Sequence, residues 1–327
     1  LINPNTHTTP IFRTRYDAQL TKKIYARVPV LVNEKMKGNP WDVRFLRMFD
    51  MSNDSHLFCT RKELEEKGYK LLGNIFVNGQ DIYLPLYEAK MIWQFDHRFG
   101  SYEGVTSRSS THLPTPKEEQ YTDPAYVIKP WYWASAHEVI NRLEGWNKGW
   151  FIGFRNVTNT TNERTAIFSL MPLAGVGHST PLIFVQNVKL LPCFLANLSS
   201  MVFDYVTRQK VGGTNFTFHY VKQLPILPSE TFTTRHLLFA IPRILELTYT
   251  AWDLKPFADD IWAEGDEDLR TAIKKQWEEN QKETSGHTNT TPPDWLEILY
   301  SLNPNNPNKN ACPLPPFKWD EARRARL

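Results

Sequence analysis

A chain of 327 residues with 41% hydrophobic and 22% charged side chains is globular in composition and long for one core, which points to two or three packed units. No apolar run reaches the length of a helical membrane span, and Cys59, Cys193 and Cys312 lie too far apart for a Cys-x-x-Cys pair, so the reading is a cytoplasmic protein with reduced thiols. The net charge of +3 conceals an asymmetry: 28 basic face 21 acidic residues through position 252, whereas positions 253–286 hold 5 and 10, a pattern that fits a polyanion binder with an acidic appendage turned away from its ligand.

In chain order, residues 1–80 read as a mixed α/β segment, with helical spacing over 18–25, a short strand over 28–32 and a capped helix over 61–68 that stops on Gly68. From Asp81 the pattern changes to short apolar runs broken by Gly, Pro and Asn. Strands are predicted at 82–87, 150–154, 166–170, 182–185 and 216–221, and an exposed loop at 107–124. A single long helix over 194–209 places Leu195, Leu198, Val202, Tyr205 and Val206 on one face, with a left-handed stop at Gly212-Gly213. After Pro228 the spacing turns helical over 235–249, 267–283 and 292–302, interrupted by a polar linker at 284–291 and followed by an Asn/Pro-rich loop at 303–316. The fold class is therefore α+β. It comprises an N-terminal α/β segment (1–80), a β-rich unit with one long packed helix (81–235) and a helical C-terminal region (236–327) carrying an acidic insertion at 259–312.

Catalytic signatures are missing. The sequence contains no Gly-x-Gly-x-x-Gly, P-loop or Gly-x-Ser-x-Gly elbow, and its 9 histidines show no metal-ligand spacing. Leu314-Pro315-Pro316-Phe317 only echoes the Asn/Asp-Pro-Pro-Tyr/Phe loop of amino-methyltransferases, because Leu stands where the amide is required. One alternative is an Mg²⁺-dependent nuclease in which Asp81 and Glu88 hold the ion and Lys90 orients water. Against it, Glu88 and Lys90 read equally well as strand-end polar residues.

Four blocks carry a family resemblance. They are Leu84-Pro85-Leu86-Tyr87-Glu88-Ala89-Lys90 with Trp93-Gln94-Phe95-Asp96-His97-Arg98; Gly153-Phe154-Arg155-Asn156-Val157-Thr158 with Asn162-Glu163-Arg164; Phe203-Asp204-Tyr205-Val206-Thr207-Arg208-Gln209-Lys210-Val211-Gly212-Gly213-Thr214-Asn215; and Tyr249-Thr250-Ala251-Trp252-Asp253-Leu254 with Pro315-Pro316-Phe317-Lys318-Trp319. In this order they resemble the C-terminal target recognition region of adenine-N6 DNA methyltransferases of type IIG, BREX- and DISARM-like phage-defence systems, a TaqI-type specificity domain. The resemblance implies a fragment that follows a methylase domain holding S-adenosylmethionine and takes no cofactor itself. Its implied partners are double-stranded DNA, that methylase domain and other defence subunits. Both ends of the chain, Leu1 and the basic run to Leu327, read as cut. The departure from the family is the segment 259–312.

A methylase that extrudes its target adenine needs a second lobe to grip the duplex, with phosphate clamps for register and side chains on base edges for specificity. The loop between the strands at 150–154 and 166–170 offers Arg155, Asn156, Thr158, Asn159, Asn162 and Arg164, although such a hairpin also satisfies itself. The run Arg208, Lys210, Gly212, Gly213, Thr214 and Asn215 offers cations beside bare amides, although cations also suit a helix's negative end. Lys90, His97 and Arg98 are weaker DNA candidates, and Arg98 has Asp96 as a competing partner. Trp131-Tyr132-Trp133 reads as packing rather than as a base-stacking platform. The reading requires Arg155, Arg164 and Lys210 to share one cationic side.

Overall fold

In a computed structural model the described residues are 2–8, 12–110, 112–285, 291–302 and 311–327. They form an α+β architecture with two sheets and a helical C-terminal region. No helix among them is long and apolar enough to cross a membrane. The linker expected at 284–291 and the loop at 303–316 fall largely outside the described residues.

The strands are β1 (Val43–Leu46), β2 (Phe58–Thr60), β3 (Lys70–Leu72), β4 (Ile75–Asn78), β5 (Asp81–Tyr87), β6 (Tyr132–Ser135), β7 (Trp150–Phe154), β8 (Phe168–Pro172), β9 (Gly175–Val176) and β10 (Leu182–Val185). An antiparallel sheet runs β1-β10-β7-β8, and a second runs β2-β6-β5-β4-β3 with β9 added in parallel to the end of β5. Every residue of β7 and β10 is buried, so neither strand alternates apolar and polar positions. Aromatic rings fill this interior: Trp150 meets Phe257 edge-on at 5.1 Å, and Phe154 and Phe168 both pack on Phe216.

The helices are α1 (Arg15–Arg27), α2 (Arg61–Glu66), α3 (Glu118–Thr122), α4 (Ala136–Arg142), α5 (Leu191–Leu198), α6 (Met201–Lys210), α7 (Phe218–Lys222), α8 (Thr234–Thr248), α9 (Lys255–Glu264), α10 (Glu267–Glu283), α11 (Trp295–Ser301) and α12 (Glu321–Arg324). Local chemistry explains several bounds. Thr60 and Glu63 close a reciprocal cap on α2, and Gly68 beyond it takes φ +81°, a conformation that glycine adopts without a Cβ penalty.

Five expectations are corrected. The long helix at 194–209 is two helices, because Ser200 adopts extended backbone and its hydroxyl accepts the Phe203 N–H, starting α6 afresh. Gly212 and Gly213 do not form a left-handed stop; α6 ends on the extended Val211. The strand expected at 216–221 is the short helix α7, since an apolar run of that length satisfies either period. The segment 28–32 forms single bridges with 222–226 rather than a strand, and α3 sits inside the loop expected at 107–124.

The boundary expected at residue 80 falls within the β4–β5 hairpin, where Asn78 pairs with Asp81. Strands from 43–78 also enter both sheets. The segment 259–312 is equally built in. Leu269 and Ile273 of α10 are buried, while Gln276 and Asn280 donate to the buried Glu246 of α8 at 2.6 and 2.9 Å. Trp295 of α11 covers the β3–β4 turn at Gly73, where a Cβ would lie 2.8 Å from the indole. Glu267, Asp268 and Glu278 keep the outer, solvated face of α10, whereas Glu283 accepts from Arg323 at 2.6 Å.

Candidate nucleic-acid interface

Asp204, buried on α6, organises the loop between β7 and β8. Its Oδ1 accepts the N–H groups of Thr165 and Ala166 at 2.8 and 2.7 Å, and its Oδ2 accepts Arg208 Nε at 2.8 Å. Arg208, fixed in this way, donates onward to the carbonyls of Thr160 (3.0 Å) and Glu163. Arg164 donates to the Ser199 carbonyl. The loop is therefore strapped to α6 by charge-assisted bonds along its length. A bridge between Val157 and Asn215, made by Thr158 N–H to Thr214 O (3.0 Å) and Phe216 N–H to Asn156 O (2.6 Å), ties the loop to the segment after α6. Asn159, Asn162, Gly212, Gly213, Thr214 and Asn215 are left exposed at two adjacent tips.

Beneath these tips lies a groove of about 920 Å³. It is lined by Arg208, Lys210 and residues 211–214 and by Asn159 and Thr160. Asn3, Thr6 and Arg13 of the N-terminal segment and His219 and Gln223 around α7 complete the lining. The N-terminal wall is held by Gln223, whose side-chain oxygen accepts the N–H groups of Asn5 (3.2 Å) and Thr6 (3.3 Å). Among the described residues three basic side chains and a histidine line this groove, and no Asp or Glu does.

Lys210 is the unusual member. Its ammonium donates to the carbonyls of Ile2 (3.1 Å) and Gln223 and lies 4.7 Å from the centre of the Tyr25 ring, with no carboxylate partner. Burial against these groups removes water from the charged form and pushes its pKa down to about 7. The backbone N–H groups of Gly212, Gly213 and Thr214 find no acceptor within the described residues. A Cβ on either glycine would meet nothing within 4 Å, so these glycines leave the amides uncovered rather than relieve a clash.

Six of the residues singled out in sequence converge here: Asn159, Arg208, Lys210, Gly212, Gly213 and Thr214, with Asn162 and Asn215 exposed beside them. The single cationic side expected of Arg155, Arg164 and Lys210 does not form. Arg155 points inward, donating to the Ile92 carbonyl at 2.8 Å and lying over Trp93 (4.7 Å) and Phe99 (5.4 Å), and burial lowers its pKa to about 10. Asn156 and Thr158 are buried, and Thr158 Oγ1 donates to Thr165 O at 2.8 Å. The other cationic side chains of the groove are Arg13 and Arg208, the latter ion-paired with Asp204. Arg13, Asn3, Thr6, His219 and Gln223 were not singled out, because they converge from segments far apart in sequence.

The weaker candidates are interior. His97 Nε2 lies 2.8 Å from Asp253 Oδ1, and Arg98, which is 0% exposed, donates to the carbonyls of Asp123, Tyr126, Tyr121 and Thr250. Arg98 spends its donors on carbonyls, while Asp96 accepts its backbone N–H and the Tyr121 hydroxyl. Neither His97 nor Arg98 can reach DNA. Lys90 donates to the carbonyls of Arg108 and Ser110, and Glu88 accepts from Tyr102 and Arg108. Asp81 opens β5 and Glu88 follows its last residue, about 23 Å away along the chain at the strand rise of about 3.3 Å per residue, so the two carboxylates of the nuclease layout do not meet. Trp133 is buried, with its Nε1 donating to Asn74 O at 2.7 Å, and Trp131 packs on Tyr102 at 5.4 Å.

A second cavity of about 500 Å³, walled by Trp93, Phe99, Tyr121 and Trp319, carries Asp96, Glu118 and Glu321 against the single cation Arg324. Its charge is opposite to that of the first groove and unsuited to a polyanion. No protein-family model matches the chain, and comparison with curated proteins finds no match.

Proposed function

We propose that this chain recognises double-stranded DNA through the groove between the 159–163 and 211–215 tips, as the target-reading part of an adenine-N6 methyltransferase. The observation that carries this reading is the lining of the groove: Arg13, Arg208, Lys210 and His219 among amides and hydroxyls, with no carboxylate. A phosphodiester backbone satisfies cations and free N–H groups together; Arg208 meets it already ion-paired with Asp204, and the exposed Glu163 stands at the end of the 159–163 tip, outside the groove lining. Lys210 and the 212–214 amides would fix phosphates. Asn159, Asn162, Thr214 and Asn215, exposed on the tips, would meet base edges, where Asn pairs bidentately with adenine. S-adenosylmethionine and the extruded base would belong to a methylase domain that partners this chain.

The test is binding of a short duplex by fluorescence anisotropy across a salt series. Neutralising two or three phosphates gives a log–log slope of about −2 to −3. Binding that ignores salt, or none at low salt, overturns the reading. In a methylase that contains this chain, Lys210→Ala weakens every sequence alike, whereas Asn159→Ala flattens the preference at one base position. Equal loss at all bases removes Asn159 from the base-reading role.

A protein-contact surface is the second reading. The Tyr205 hydroxyl, bonded to Asp17 at 2.7 Å, joins α6 to α1, and Tyr16, Met201 and Val202 are 70%, 81% and 57% exposed on these two helices. This face suits the methylase domain or another defence subunit.

A further inference from the structure

An ammonium has three protons to donate, and two of those on Lys210 are committed to the Ile2 and Gln223 carbonyls. The third has no hydrogen-bond acceptor among the described residues; the Tyr25 ring lies 4.7 Å from the ammonium, and Lys210 lines the groove. If the group loses a proton it keeps two donors, which the carbonyls hold, and the third position becomes a lone pair. A phosphate oxygen is attracted in the first state and repelled in the second.

Resting on the DNA-recognition reading above, we propose that Lys210 and the free amides of Gly212, Gly213 and Thr214 form a phosphate subsite that closes only on the fully protonated lysine, so that binding a backbone phosphate draws one proton from solvent. The surroundings support this coupling. Tyr25 of α1 presents a ring face, Arg208 on the same helix and Arg13 before α1 are cations, and His219 of α7 lines the same groove. The acid closest along α1, Asp17, is engaged with Thr14 and Tyr205. No carboxylate therefore holds Lys210 in its charged form when the groove is empty, and burial has already brought it near neutrality. An incoming phosphate supplies the missing counter-charge and raises its proton affinity again. The subsite thus pairs recognition with proton uptake, and affinity rises as pH falls toward neutrality.

The experiment is calorimetric titration of the 327-residue chain with a short duplex at low salt, in two buffers of different ionisation enthalpy, at about pH 8.5 and about pH 6. The expected result is uptake approaching one proton at the higher pH and little at the lower, with affinity falling about tenfold per pH unit on the alkaline side. Lys210→Arg, which stays charged, keeps binding and loses the uptake. Lys210→Met weakens binding at both pH values. Inorganic phosphate is a separate arm: uptake with phosphate alone places the subsite's specificity at the phosphate group, and uptake with duplex only places it at the diester backbone. Because His219 is another group able to bind a proton, His219→Gln must leave the uptake intact. Binding without proton exchange, or uptake that survives in Lys210→Arg or vanishes in His219→Gln, overturns the inference while the DNA reading stands. Absence of any duplex binding at low salt removes both.

Discussion

The backbone N–H of Thr158 donates to the carbonyl of Thr214 at 3.0 Å, joining the loop after β7 to the segment after α6. This bond makes one rim of two tips, and it separates residues that hold the rim from residues that can touch a ligand.

Gly212 and Gly213 belong to the second group. Leucine at either position enters open space, so stability should change by no more than about 0.5 kcal/mol, as for other unconstrained surface sites. The same side chain covers the free amides. Duplex affinity is expected to fall about tenfold, equivalent to about 1.4 kcal/mol, which a paired urea-melt and anisotropy measurement on Gly213→Leu will show.

Arg155 and Arg98 belong to the first group. Arg155→Ala removes a hydrogen bond to Ile92 and contacts over Trp93 and Phe99, with an expected loss of about 1–3 kcal/mol. Arg98→Ala strips donors from four carbonyls, two of them (Tyr121 and Thr250) buried, and should cost about 3 kcal/mol or more. Chemical denaturation measures both. Neither variant should alter base preference once folded, and a change of specificity in Arg155→Ala would contradict its interior placement.

Lys210 predicts a pH dependence of stability with a definite sign. Its proton affinity is lower in the folded chain, about 7, than the ordinary lysine value of 10.5, so between these two values the unfolded chain binds more protons. Stability from this group therefore rises as pH increases from about 7 to about 10.5 and is lowest below that window. Lys210→Met should be more stable than the parent near pH 7, with the advantage shrinking toward pH 10. Equal slopes of unfolding free energy against pH in the two proteins would refute it.

Arg323 anchors the end of the chain. It donates to the buried Glu246, which also accepts from Gln276 and Asn280, and to Glu283 at 2.6 Å. Arg323→Ala leaves the Glu246 charge buried and should cost about 3–5 kcal/mol. The double variant Glu246→Leu/Arg323→Met recovers only part of this, because Gln276 and Asn280 lose their acceptor. Thermal melts of the single and double variants make the comparison.

How far the sequence could be read depended on the range of the determinant. The helix at 267–283 and the strands at 150–154 and 182–185 stand where local pattern placed them, since periodicity and apolar runs are written into neighbouring residues. The break at Ser200 was missed because the apolar spacing runs unbroken on either side of this N-cap. Arg98, Arg155 and His97 were misplaced because an arginine or histidine turns inward only when distant partners wait for it, here Thr250, Ile92 and Asp253. The groove was half visible. Its tips lie in two polar runs, but the wall of Asn3, Thr6 and Arg13 arises only when Gln223 captures the N-terminal segment.

The sheet order has a kinetic corollary. Because β1 (Val43–Leu46) pairs with β10 (Leu182–Val185), and β2 (Phe58–Thr60) with β6 (Tyr132–Ser135), each of these strands waits for a partner made far downstream in the sequence. Non-local pairing of this kind places folding in the range of about milliseconds to seconds rather than microseconds. Separating the polypeptide at residue 80 would strand unsatisfied edges on both pieces, so co-expressed halves should aggregate alone and regain structure only together.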